Sequence, residues 1–285
     1  MKIFIVQEKG RHEKNQEFRE ALNMKRALDR IGIESKVWGL GYDNFSETFD
    51  EASSGYDVIL ILENYDQQGW LPEFENDNRL KIFWSIDSHC VPAAHGTFAR
   101  KANVQVVLNA IQSHSKYFKK QKCYYFPNAY PKDLIDKREV QKQYDVGFCG
   151  SLLNRQEWIE YLIKNHKLKF DNFVIGEDMI KSINSYNIHW NRNLADDINF
   201  RTFETLGCGT LLLTNKTENI ENLFDMYKHL VTYENMEDMS EKIIYLLNDP
   251  QKIKEFSEAG YIHVRENHSY DNRAKQLVEI IKENV

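Results

Sequence analysis

Short β-branched or aromatic runs alternate with amphipathic stretches from the first residue, and after a proline-bearing interruption near the middle the alternation starts again. Strands separated by helices pair in parallel, with the helices covering the faces of the sheet, so the pattern predicts parallel α/β layers. In the first half it predicts strands at Met1 to Val6, Ser35 to Trp38, Tyr56 to Leu62, Leu80 to Ile86, Val104 to Leu108 and Tyr124 to Phe126. The run Val58 to Leu62 is apolar at every position, as expected of a strand covered on both faces. A helix is predicted over Asn15 to Ile31, where Phe18, Ala21, Leu22 and Leu28 recur at helical spacing before Gly32 in the C-cap position, and a shorter one over His114 to Lys120.

Pro127-Asn128-Ala129-Tyr130-Pro131 carries two of the five prolines and opens an expected linker that reaches about Gln143. Strands are then predicted at Tyr144 to Phe148, Phe173 to Ile175, Asn187 to Trp190 and Thr210 to Thr214. Helices are predicted over Arg155 to Lys164, Met179 to Asn184 and Asp197 to Leu206, followed by a helical tail over Met236 to Leu247, Pro250 to Asn267 and Tyr270 to Glu283. The expected organisation is two tandem α/β domains, 1–135 and 143–285. The length of 285 residues agrees, being above the size at which one core usually divides.

Composition excludes several classes. Hydrophobic residues at 42% and charged residues at 28% fit neither a disordered nor a fibrous chain. A net charge of -6 argues against general polyanion binding. No apolar run approaches the roughly 20 residues of a membrane span. The N-terminus meets charge at Glu8 and Lys9 before a signal-peptide core could form, so a cytoplasmic location is expected. Cys90, Cys123, Cys149 and Cys208 show no metal-ligand spacing and read as free thiols, and no metal is expected.

Ligands of parallel sheets bind beyond the carboxyl ends of the strands, which directs attention to four loops. The loop after the first strand holds Gly10 and Arg11 but no GxGxxG, which disfavours a dinucleotide fold; Gly10 suits close approach to a ligand and equally an ordinary turn. Asp87-Ser88-His89 offers a carboxylate and an imidazole fit to accept a proton from a hydroxyl, and equally a helix cap with a satisfied histidine. Gly150-Ser151 with Arg155 offers backbone N–H groups and a guanidinium fork to a phosphate. In the segment Asn193 to Thr214, Arg201 and Glu204 share a helix face: Glu204 suits the hydroxyls of a ribose, Arg201 an anionic diphosphate near the helix N-terminus, and the pair also reads as a surface ion pair.

The run Arg201-Thr202-Phe203-Glu204-Thr205-Leu206-Gly207-Cys208-Gly209, its following apolar strand and the acidic loop Glu218 to Phe224 resemble the donor-site segment of GT-B glycosyltransferases. More closely, the chain resembles the spore-maturation CgeB-like group of the glycosyltransferase 1 superfamily. Tyr245 to Pro250, Ala259-Gly260, Val264, His268-Ser269-Tyr270 and Arg273 match that group's C-terminal pattern, and Asp145 to Ser151 with Arg155 matches its phosphate-side loop. The resemblance runs from about Asp145 to Arg273; the first half matches in layout, at Asp87-Ser88-His89 and at Pro127-Asn128-Ala129.

The resemblance implies a GT-B fold, α/β with two Rossmann-like parallel-sheet domains facing a cleft, the first on the acceptor side and the second binding the donor. It implies a metal-independent, retaining transfer of a sugar from a nucleotide-diphosphate-sugar to an acceptor hydroxyl on a glycan, a protein or a modified nucleic-acid base, with no cofactor. Of the superfamily's carboxylates eight positions apart, the second maps to Glu204 and the first to Asp196, one methylene shorter than the usual Glu. Arg155 and Arg201 would neutralise the leaving diphosphate, Gly150, Ser151, Asn193 and Phe203 would complete the donor site, and Asp87 or His89 would assist the acceptor, with Gly10 and Arg11 on the acceptor-side loop. Two other readings share the scaffold: a two-lobed small-molecule-binding module and a nucleotide-sugar epimerase.

Overall fold

Val58–Leu62, the run apolar at every position, is buried along its whole length within a six-stranded parallel sheet. The structure, a computed structural model, describes residues 1–64, 69–195 and 197–285. They form two compact units: Met1–Asn128 with Tyr270–Val285, and Ala129–Ser269.

The first unit contains β1 (Lys2–Val6), α1 (Glu20–Arg30), β2 (Glu34–Trp38), α2 (Phe49–Ala52), β3 (Val58–Leu62), β4 (Leu80–Ser85), α3 (Pro92–Lys101), β5 (Val106–Asn109) and β6 (Lys122–Tyr125). The strand order is β2-β1-β3-β4-β5-β6, with every pairing parallel. Trp38 and Phe74 belong to its aromatic core, where Trp38 packs on Phe45 and Trp70, and Trp84 is fully buried. These rings are core rather than stacking platforms.

The second unit contains β7 (Tyr144–Gly150), α4 (Gln156–His166), β8 (Lys169–Asn172), α5 (Glu177–Asn184), β9 (Tyr186–Asn191), α6 (Phe200–Gly207), β10 (Leu211–Asn215), α7 (Ile220–Leu223), β11 (Val231–Tyr233), α8 (Met236–Leu247) and α9 (Pro250–Asn267). Its five parallel strands run β11-β10-β9-β7-β8. Helix starts follow side-chain chemistry: Asn235 accepts from Asp238 N–H at 2.9 Å to cap α8, and Asp249 accepts from Lys252 N–H at 3.1 Å to cap α9, whose first residue is Pro250.

Four expectations change. The last helix, α10 (Tyr270–Lys282), belongs to the first unit and not to a C-terminal tail of the second. It is held there by Arg273, whose buried guanidinium donates to the carbonyls of Pro127 and Asn128 at 2.9 and 3.3 Å, and by Arg30, paired with Asp271. The expected linker is packed into the second unit at its start, where fully buried Tyr130 donates to the Ile135 carbonyl at 2.6 Å and its N–H to the His268 carbonyl at 2.7 Å. The strand expected at Phe173 to Ile175 lies earlier, because Phe173 takes a left-handed φ of 54° that ends pairing after Asn172. The helix expected from Asn15 begins as a 3-10 turn over Glu13–Phe18, and α3 has no counterpart in the sequence reading.

Candidate functional site

In the second unit, polar side chains gather on α6. Thr202, Phe203, Thr205, Leu206 and Gly207 face the interior, which leaves Arg201 and Glu204 on the remaining strip, about one turn apart. Arg201 Nη1 donates to Glu204 Oε2 at 2.6 Å, with the side chains 17% and 15% exposed, and it also touches the Met179 sulfur of α5. Burial is the largest influence and opposes the Arg201 charge, but Glu204 together with Cys149, Cys208 and Tyr186 outweighs it and the guanidinium is held above its usual value.

The helix is pinned to the sheet by a directed chain of hydrogen bonds. The Cys149 N–H donates to His189 Nε2 at 3.1 Å, so Nε2 is the bare nitrogen and Nδ1 carries the proton. Nδ1 lies 2.5 Å from Thr205 Oγ1, and that hydroxyl donates in turn to the Arg201 carbonyl at 2.6 Å. His189 is fully buried, and burial pulls its pKa well below the usual range, so the imidazole is neutral at physiological pH.

The loop entering α6 is built from amides. Buried Asn193 accepts from Asn191 Nδ2 and from the Asn199 N–H, both at 3.3 Å, and its own N–H donates to Asn215 Oδ1 at 2.7 Å. Asn191 also donates to Thr214 Oγ1 at 3.1 Å. Asn193 therefore shapes the loop. Asp196 lies outside the described residues.

Arg155 is the half-in residue before α4, with its guanidinium turned inward. Nε and Nη2 donate to the Arg192 carbonyl at 2.9 and 2.6 Å, and Nη1 to the carbonyls of Ser151 and Leu153, both at 3.4 Å. Burial brings it down to about 10, still charged at neutral pH. The fork expected at a phosphate is thus occupied with backbone oxygens, and it ties the Gly150-Ser151 turn to the end of β9. Gly150 is matched to close packing: a Cβ there would stand 2.7 Å from Phe148 Cζ. Phe203 is fully buried against Phe224 and His268, which corrects its expected donor contact to a core role. Arg192, absent from the sequence reading, places its guanidinium 4.2 Å from the Trp158 ring centroid.

The first unit holds a second gathering. Gly10 takes φ +95°, a value glycine adopts without strain, and a Cβ there would meet the Arg19 stem at 3.0 Å; Arg11 is exposed beside it. Arg19 pairs with Glu8 at 2.8 Å and Glu20 at 3.3 Å, all three buried. The N–H of Asp87 donates to Glu63 Oε2 at 2.7 Å, as does that of Ile86 at 3.0 Å. Glu63 Oε1 lies 3.6 Å from His95 Nε2, while His95 Nδ1 meets Ser85 Oγ at 2.7 Å. Burial, with Asp87 adding repulsion, pushes Glu63 up to about 8, and burial with His114 and His89 nearby pushes His95 down to about 4. Both are neutral at pH 7. Asp87 and His89 are half-buried, and His89 Nδ1 has no hydrogen-bond partner among the described residues. Glu63 was missed by the sequence reading; its signal was a carboxylate directly after an all-apolar strand.

Among the described residues no group of three or more His, Cys, Asp or Glu is arranged to hold a metal ion, and no helix is long and apolar enough to cross a membrane.

Comparison with solved structures shows the fold. An alpha-glucosyltransferase in complex with UDP and a 13-mer DNA superposes with a TM-score of 0.70 at 11% identity, covering 99% of this chain and 100% of that one. Sucrose-phosphate synthase from Thermosynechococcus elongatus gives 0.66 at 10% identity, covering 99% of both chains. HepE of Anabaena, in complex with UDP and glucose, gives 0.65 at 13% identity, covering 99% of this chain and 100% of that one. The two parallel-sheet units are those of the GT-B fold. No curated protein sequence matches. A family model described as glycosyl transferase-like matches residues 132–279, more than half of the chain and nearly all of the second unit with its pinned helix. On that match the chain belongs to the glycosyl transferase-like family.

Proposed function

We propose that the chain transfers a hexose from a nucleoside-diphosphate-sugar, with UDP as the leaving nucleotide, to an acceptor hydroxyl, and that within its family it falls in the CgeB-like group. The observation that carries this reading is the Arg201–Glu204 pair on a helix pinned by neutral His189, within the segment that matches the family. The structural neighbours solved with UDP favour the same donor class.

In this reading Glu204 accepts hydrogen bonds from the ribose hydroxyls and Arg201 turns toward the diphosphate. As the bond from the anomeric carbon to the diphosphate oxygen breaks, charge gathers on the leaving phosphate and Arg201 offsets it without a metal. The acceptor oxygen forms the new bond with retention, and its proton passes to Asp87 or His89 of the first unit. Arg155 acts one step removed, holding the Gly150-Ser151 turn in place, Asn193 shapes the loop that enters the donor helix, and Asp196 serves as the first of the two donor-side carboxylates. The acceptor is a glycan, a protein or a modified nucleic-acid base, the last in line with the neighbour solved with DNA.

Incubation of the full chain with UDP-glucose, UDP-galactose and UDP-N-acetylglucosamine, with and without EDTA, tests the reading. Slow release of UDP that survives EDTA supports it. Isomerised sugar without UDP release points to an epimerase, binding without turnover to a binding module, and loss on EDTA restored by manganese to metal-dependent chemistry.

A further inference from the structure

A groove of about 450 Å³ runs beside α3 in the first unit, lined by Leu62, Glu63, Leu71, Phe83, His95 and Phe98, among others. Its volume lies in the range of small-molecule sites. Ala94, Phe98 and Lys101 on the helix also line it, so it follows α3 for about two turns. Apolar side chains make up most of its wall, and Glu63 and His95 gather at the end where β3 stops.

The polar end has capacity for a guest. Glu63 Oε2 is engaged by two backbone N–H groups, which leaves Oε1 facing His95 Nε2 at 3.6 Å, too far for a direct hydrogen bond. An oxygen set to one side of the pair can lie within hydrogen-bond range of both. With Glu63 held up to about 8 and His95 down to about 4, one group is an O–H donor at neutral pH and neither presents a charge. An apolar recess with a few convergent polar groups at one end is the default candidate for a small-molecule site.

We infer that this groove binds a neutral small molecule with an apolar body of about two rings and one hydroxyl, the hydroxyl bridging Glu63 Oε1 and His95 Nε2. A charged head is disfavoured at that end, because Asp87 and Glu20 act on Glu63 and repel an anion, and a cation would have to ionise a carboxyl that is buried. The groove lies wholly within the first unit, so neither sugar donor nor turnover enters its test, and failure of one reading leaves the other standing.

The probe is 2-naphthol, titrated calorimetrically into the full chain at pH 7. A Kd of about 1 mM or tighter is expected from its size. Its methyl ether, which cannot donate, is expected to bind about fivefold more weakly. Ala94→Phe and Thr97→Phe place a ring in the groove from exposed or half-exposed helix positions and are each expected to weaken 2-naphthol at least about tenfold. A diazirine derivative of the probe, independent of any variant, is expected to label peptides within residues 62–101. No binding by 2-naphthol, equal binding in the filled variants, or labelling elsewhere overturns the inference.

Discussion

His189 Nδ1 lies 2.5 Å from Thr205 Oγ1, and the same hydroxyl lies 2.6 Å from the carbonyl of Arg201, so a neutral imidazole on β9 fixes the first turn of α6. The proton order follows from one donor that has no choice: the backbone N–H of Cys149 must donate to Nε2, and the rest of the chain runs in one direction.

Thr205→Val keeps the shape and removes the hydroxyl, which strands the buried Nδ1–H. The loss is expected to be about 1–3 kcal/mol in urea unfolding. Because the same hydroxyl holds the turn carrying Arg201, affinity for UDP is expected to fall at least about tenfold. Thr205→Ser restores the hydroxyl and is expected to recover both. Recovery of stability without recovery of UDP affinity would limit the hydroxyl to a role in folding.

Arg201 and Glu204 contact each other, so single substitutions confound a lost partner with a lost ligand contact. Arg201→Ala and Glu204→Ala are each expected to reduce kcat/KM for the sugar donor at least about a hundredfold. The double variant separates the accounts: a pair that matters only as a pair is partly rescued when both partners go, whereas two ligand contacts leave the double variant at least as impaired as either single one. Rescue in the double variant would remove this helix from the donor site.

The alternation of strands and helices was legible because it is written in local runs of residues, and the fully buried Val58–Leu62 is the plainest case. Arg201 and Glu204 were legible for the same reason, since residues three apart on a helix share a face whatever surrounds them. Arg155 was found as a residue but not as a geometry: its partners are backbone carbonyls, including one 37 positions away, and carbonyls leave no trace in side-chain identity. His189 was hidden inside a buried strand, where only the tertiary partners Cys149 and Thr205 give it a task. The return of α10 to the first unit rests on Arg273 meeting the carbonyls of residues 127 and 128, a pairing across about half the chain that no local pattern announces.

Asp87 and His89 differ in what each substitution would disturb. The Asp87 N–H donates to Glu63, a bond that Asp87→Asn retains, so loss of activity in that variant reports on the carboxylate itself. If Asp87 receives the acceptor proton, kcat in Asp87→Asn falls about a hundredfold or more with donor KM unchanged, and His89→Gln has little effect; if His89 is the base, the pattern reverses. Wild-type kcat at saturating substrate in both variants would place the base elsewhere.

Glu63 and His95 should write a recognisable shape into the pH dependence of stability. Glu63 rises from 4.5 to about 8 on folding, so between those values the folded state keeps a proton that the unfolded state has lost, and stability falls as pH rises. His95 drops from 6.5 to about 4, so between those values the unfolded state holds the extra proton, and stability climbs with pH. From 4.5 to 6.5 the two slopes, each at most about 1.4 kcal/mol per pH unit, oppose and nearly cancel. Above 6.5 only Glu63 still contributes, leaving a falling limb that ends near 8. Asp87 and Glu20, the acids that act on Glu63, steepen nothing by themselves but hold that limb at neutral pH; losing either shifts it to lower pH. Glu63→Gln is therefore expected to abolish the limb between 6.5 and 8 and to expose the His95 rise below it, read as the difference between wild-type and variant urea unfolding free energies across pH. A difference curve that stays flat across that whole range would mean that the Glu63 carboxyl is ionised in the folded protein.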